Sequence, residues 1–210
     1  MPTRAFLIPL LAAAAIVAAG SIAAAQGTGP RSSQPKQSEA KQKPPARPLT
    51  RAQRLDGLFE ALKQAPSAQE AQAVEARLGA TLMQSGSDTA DLLMSRARGM
   101  AEAKDYDLSL QLLDSIIELT PGYTEAFAQR ATVHYVKKNL YQALTDLRVV
   151  IAREPRHYTA LAGLGVILQD LGEHKRALDA LRGAVAIHPH LKGIPDIIKR
   201  LELRVDGRDI

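Results

Sequence analysis

The residues best suited to chemistry in this 210-residue chain are five histidines, and their spacing argues against using them as a site. His188 and His190 flank Pro189, a spacing that matches no metal-ligand pattern on a helix. His134 shares a helical column with Met100 and Leu168, which reads as a packed side chain. His157 and His174 fall near predicted helix boundaries and read as surface residues. There is no cysteine, which excludes a disulfide framework, a thiolate-bound zinc, a thiol nucleophile and lipid attachment at an N-terminal Cys. No serine stands in a nucleophile motif, and Gly163-x-Gly165 lies inside a helical stretch, where it serves packing and not phosphate binding. Asp105 and Asp107 suit the cap and first turn of a helix, where a carboxylate meets free N–H groups and the positive end of the dipole. The sequence therefore predicts no catalytic residue, no metal site and no cofactor. An enzyme is kept only as an alternative that would need a buried polar cluster in residues 51–85.

The elements that position these residues are helices. Ala and Leu are abundant, Trp is absent and Phe occurs three times, a mix that favours helix over strand. The chain also repeats. Pro121, Pro155 and Pro189 are spaced at 34 residues. The same shift aligns Leu93, Phe127 and Leu161, then the small residues Ala97, Ala131 and Gly165. It goes on to align Ser109, Ala143 and Ala177, the leucines 110, 144 and 178, the leucines 113, 147 and 181, and Ile116, Val150 and Ala184. Each unit reads as two helices, about 124–138 and 141–153 in the second, with Asp105, Asn139 and Glu173 in the intervening turns. Small columns let the two helices approach, and proline ends the second helix. One pair cannot bury its own apolar face, so the units must stack.

This pattern resembles the tetratricopeptide repeat (TPR). Leu164-Gly165, Ala177, Ala184 and Pro189 of the third unit match best, the second unit places Arg130 where the usual Leu stands, and the first diverges at Arg96, Ser109 and Ile116. The resemblance covers about residues 90–189 and implies an all-α solenoid of three repeats, at about 88–121, 122–155 and 156–189. It also implies a concave face that holds a protein partner. Carried over, that face comprises Asp91, Met94, Arg98 and Glu102; then Glu125, Ala128, Thr132 and Tyr135; then Thr159, Val166, Gln169 and Asp170. The Lys/Asn cluster with which some relatives grip a peptide carboxylate is missing, Arg98 standing among acidic and neutral neighbours.

Around the repeats, residues 1–25 read as a secretory signal peptide: Arg4, an apolar run from Phe6 to Ala19, and Ala23-Ala24-Ala25 before a cut at Gln26. Residues 26–50, rich in Gln, Lys, Pro and Ser, read as a disordered basic linker. The positive charge is concentrated there, and residues 55–210 carry −2, so no basic face for nucleic acid is expected on the fold. Residues 51–85 form a helical hairpin, either a degenerate repeat or a cap over the first repeat, and residues 190–210 form a capping helix and tail. The expectation is an adaptor or scaffold in the periplasm or secreted. The alternative is a scaffold tethered to the envelope by an uncleaved N-terminal anchor, with the linker touching membrane or cell wall. Self-association through a solenoid end is also open.

Overall fold

The computed structural model describes residues 48–205 and Gly207. The expectations for residues 1–25 and most of the linker lie outside the described residues. Within them the chain is entirely helical: α1 Arg51–Lys63, α2 Ala68–Leu82, α3 Asp88–Glu102, α4 Tyr106–Leu119, α5 Thr124–Val136, α6 Leu140–Arg153, α7 Tyr158–Asp170, α8 His174–Ile187 and α9 Ile194–Val205. None of these helices is long and apolar enough to cross a membrane.

Local chemistry explains where the helices start and turn. Thr50 and Gln53 form a capping box on α1, and the side chains of Ser67, Ser87 and Asp105 accept an N–H in the first turns of α2, α3 and α4. Inside each repeat the first helix ends on one left-handed residue: Lys104 (φ 65°), Lys138 (φ 64°) and Gly172 (φ 78°), again 34 residues apart. The N–H of the next residue closes on the carbonyl five positions back, as in Asp105 to Met100, Asn139 to His134 and Glu173 to Leu168. That closure satisfies carbonyls the helix leaves free. Two of the three positions carry Lys, which the left-handed region disfavours by roughly 1 kcal/mol, so the turn is imposed by stacking more than by residue type.

Three hairpins result, α3/α4, α5/α6 and α7/α8, stacked with α4 on α5 and α6 on α7, and with α9 against α8. The small columns meet where the sequence places them. Ser109 is fully buried and its hydroxyl donates to the Ala97 carbonyl at 2.8 Å, across the α3/α4 contact. In the third repeat the approach is closer still. A Cβ on Gly165 would lie 2.5 Å from Leu181 Cγ and 3.1 Å from the Ala177 carbonyl oxygen, so no larger residue fits without displacement.

The α1/α2 hairpin is not a fourth member of the stack. Its core residues Leu55, Leu58, Phe59, Leu62, Ala71 and Leu78 pack with Tyr158 and Ala184 of the third repeat, and α1 lies against α8. Polar groups hold the same junction. Tyr158 donates to Glu75 Oε1 at 3.0 Å, His190 Nε2 donates to the Ala65 carbonyl at 2.9 Å, and Arg156 reaches Asp56 at 2.8 Å while its guanidinium lies 4.5 Å from the Phe59 ring centre. From the sequence this hairpin is either a degenerate repeat or a cap over the first repeat. It goes instead to the proline loops at the edge of the second and third repeats, because those loops carry the aromatic and basic side chains that complete its apolar face. Its link to the first repeat runs through Met83, which packs beside that repeat's core and accepts the Tyr123 hydroxyl on its carbonyl at 2.7 Å.

Candidate functional site

The first helices of the three repeats, α3, α5 and α7, line two hollows of different character. Beside α3, a hollow of about 540 Å³ is bounded by Met83, Asp91, Met94, Ser95, Arg98, Gly99 and Glu102. Its polar groups are partly spent on the fold: Asp91 accepts the Ser85 N–H at 2.9 Å, and Met94 belongs to the core at 3% exposure. All four residues carried over to the first repeat line this hollow.

Between α5 and α7 lies a groove of about 420 Å³. Glu125, Ala128, Thr132, Tyr135, Thr159 and Val166 line it as the sequence places them, joined by Gln129, Ala131, Leu147, Ala160, Gly163 and Ile167. Of the remaining predicted residues, Gln169 lies outside the lining with its side-chain amide oxygen Oε1 buried and unbonded, and Asp170 accepts the Tyr135 hydroxyl at 3.1 Å. Three of these additional residues come from the α7 face that looks back at α5, two from α5 itself and one from α6. Ala160, Gly163 and Ile167 recur at helical spacing on that face, a signal present in the sequence once the packing direction is known.

The groove is apolar along its middle and acidic at its ends. Thr132 Oγ1 donates to the Ala128 carbonyl of its own helix, and the Thr159 hydroxyl donates to His157 Nδ1, so neither threonine presents a free donor. The small residues Ala128, Ala131, Ala160 and Gly163 leave the space open. At one end stands Glu125, 9% exposed, with Oε2 3.1 Å from His157 Nε2 and Oε1 accepting from Gln129 at 3.3 Å. Burial pushes the Glu125 carboxyl up, but the hydrogen bonds from His157 and Gln129, with favourable charge from the His157 and Arg98 side, outweigh it and hold it below the usual carboxylate range.

His157 was expected at the surface and is buried, at 3% exposure. It is the N-cap of α7, its Nδ1 accepting the Ala160 N–H at 3.2 Å, while its other nitrogen reaches across the repeat boundary to Glu125. An Nδ1 that accepts a backbone N–H carries no proton, so the ring is the neutral Nε2–H form and donates to the carboxylate. Held below the usual carboxylate range, Glu125 is ionised, and His157 orients it. Apart from His157, no basic side chain lies within 4.0 Å of it among the described residues.

At the opposite end, Tyr135 and Asp170 close the groove. Burial and the Asp170 charge push the Tyr135 hydroxyl up, so it stays a donor to that carboxylate. Lys138 sits at the same end, its Nζ 5.4 Å from the Tyr135 ring centre.

No protein-family model matches the chain. A curated TPR repeat-containing protein of Rhizobium etli is 35% identical over 155 residues, which is 74% of this chain and 76% of that protein. The chain belongs to the TPR repeat proteins. Two solved structures share the fold. The first TPR domain of Spaghetti (RPAP3), bound to an HSP90 peptide, superposes with a TM-score of 0.55 at 14% identity, covering 57% of this chain and 95% of that domain. YrrB, described as a TPR protein with an unusual peptide-binding site, superposes with a TM-score of 0.50 at 21% identity, covering 71% and 81%.

Proposed function

We propose that this protein is an exported, non-enzymatic adaptor that holds a segment of another protein in the groove between α5 and α7. The observation that carries this reading is the lining of that groove: small and aliphatic side chains along the middle, with every neighbouring hydroxyl already bonded within the fold. Such a surface gains by covering apolar area, about 25 cal/mol per Å², and the histidine–carboxylate pair at its end, His157 and Glu125, is committed to capping α7. The Rhizobium etli relative supports the family, and the peptide-bound and peptide-binding structures support a peptide segment as the kind of partner. Export rests on the N-terminal sequence, read as a signal peptide cut before Gln26, which places the adaptor in the periplasm or outside the cell.

Site-specific photo-crosslinking in the source cell tests the reading. A photoreactive phenylalanine analogue replaces Thr132 in the groove or Arg148 on the exposed side of α6. Discrete adducts from position 132 that are missing from position 148 are the expected result, with the uncoupled protein showing the mass of a chain that starts at Gln26. Adducts from both positions alike, or from 148 alone, would remove the groove from consideration.

A further inference from the structure

Building on the reading of the α5/α7 groove as a peptide site, we propose that its occupant is an extended segment carrying a Lys or Arg beside an aliphatic side chain, the cation resting on Glu125 and a second cation falling near Asp170. Charge complementarity selects this occupant. Glu125 is a buried anion at the head of an apolar groove, hydrogen-bonded by His157 and Gln129 and with no Lys or Arg within 4.0 Å among the described residues. A carboxylate so placed makes a strong charge-assisted bond to a cation and rejects an acidic segment. His157 fixes where that charge points, because its ring is locked at one nitrogen by the N-terminus of α7 and at the other by Glu125.

The spacing follows from helix geometry. Glu125 and Tyr135 lie ten residues apart on α5, about 15 Å along its axis, and Asp170 is bonded to Tyr135. An extended chain advances about 3.3 Å per residue, so two cations separated by four or five residues reach both anions, with the aliphatic side chain between them over Ala128, Ala131 and Gly163. The two ends are unequal. Asp170 is exposed and Lys138 stands near Tyr135 at the same end, whereas Glu125 is buried with no Lys or Arg within 4.0 Å and only the more distant Arg98 acting on its charge, so the first cation contributes more.

The test is selection of a random heptapeptide display library on the full-length chain and, in parallel, on the Thr132→Arg variant, whose long side chain occupies the groove. Peptides enriched on the native chain alone, with Lys or Arg four to five positions apart around an aliphatic residue, are expected. The best of them, synthesised with a fluorophore, should bind Glu125→Gln on the order of tenfold more weakly and Asp170→Asn by a smaller factor. Glutamine keeps an acceptor for His157, and an unchanged helical circular-dichroism spectrum shows the variant folded. Groove-dependent peptides without basic residues, or undiminished binding to both Glu125→Gln and Asp170→Asn, would overturn this proposal and leave the groove as the site. Equal enrichment on Thr132→Arg, or none on either chain, would overturn the groove reading as well.

Discussion

The second and third repeats place different chemistry at equivalent points of one architecture. In the second, Arg130 of α5 holds Asp146 of α6 with two bonds, Nε at 2.8 Å and Nη2 at 2.7 Å, and reaches Asp114 of α4 at 2.7 Å. In the third, the same columns hold Leu164 and Ala180. The neighbouring column differs too: Ala131 in the second repeat, Gly165 pressed against Leu181 in the third. One repeat is locked by a charged clamp whose Asp146 is 3% exposed; the other closes by shape alone. A charged clamp adds direction but makes each partner depend on the other, because a lone buried carboxylate has lost its water without compensation.

Arg130→Ala should therefore be the most damaging of the changes considered, lowering stability by about 3 kcal/mol in urea unfolding, since it strands Asp146. The double change Arg130→Leu with Asp146→Ala rewrites the second repeat in the manner of the third and should return to within about 1 kcal/mol of the native chain. A double variant as unstable as the single one would mean the two repeats are not interchangeable at this point.

The small column gives the next effect. Gly165→Ala adds the residue that the first and second repeats already carry, and alanine favours helix by about 1 kcal/mol. Overpacking against Leu181 costs about 1–3 kcal/mol, so the net change should be destabilising by up to about 2 kcal/mol. Ala131→Gly should also destabilise, by about 1 kcal/mol, through lost helix propensity. Denaturant midpoints for both variants check this, and a stabilised Gly165→Ala would show that α7 and α8 can part freely.

The smallest effect separates the residues that precede the two prolines. Burial pulls His188 below its ordinary 6.5, only partly opposed by Glu75 at 3.7 Å, so the fold favours the neutral ring. Its contribution is full above pH 6.5 and fades as pH falls below that value. Glu154 occupies the equivalent position of the second repeat. Burial raises its carboxyl, but the bonds from Arg156 outweigh that and leave it below 4.5, so its contribution is full above pH 4.5 and fades only on further acidification. Melting temperature followed from pH 8 to 3 should show both limbs, and His188→Gln should shrink the upper one while leaving the lower, the remainder belonging to His134, which burial also pulls below 6.5. An upper limb undiminished in that variant would assign it to His134.

The residues that were legible and those that were not divide along physical lines. Pro121, Pro155 and Pro189, the Ala97/Ala131/Gly165 column and the leucine columns announced three helix pairs, because stacking repeats the same contacts at the same period. Six of the twelve concave residues carried over from the TPR resemblance line one groove, since the repeat sets which helix face looks inward. His157 was misplaced at the surface because capping α7 and bonding Glu125 is a use no residue type reveals. The site of the α1/α2 hairpin was equally hidden. Glu75 meets Tyr158 from 83 residues away, Asp56 meets Arg156 from 100, and Ala65 meets His190 from 125. The sequence alone determined the helices, their pairing and the order of stacking, all set by contacts between neighbours along the chain. Only the tertiary structure decided which edge the hairpin covers, and that Glu125 stands charged at the head of an open groove. Both depend on single long-range contacts, which occur once and leave no period to read.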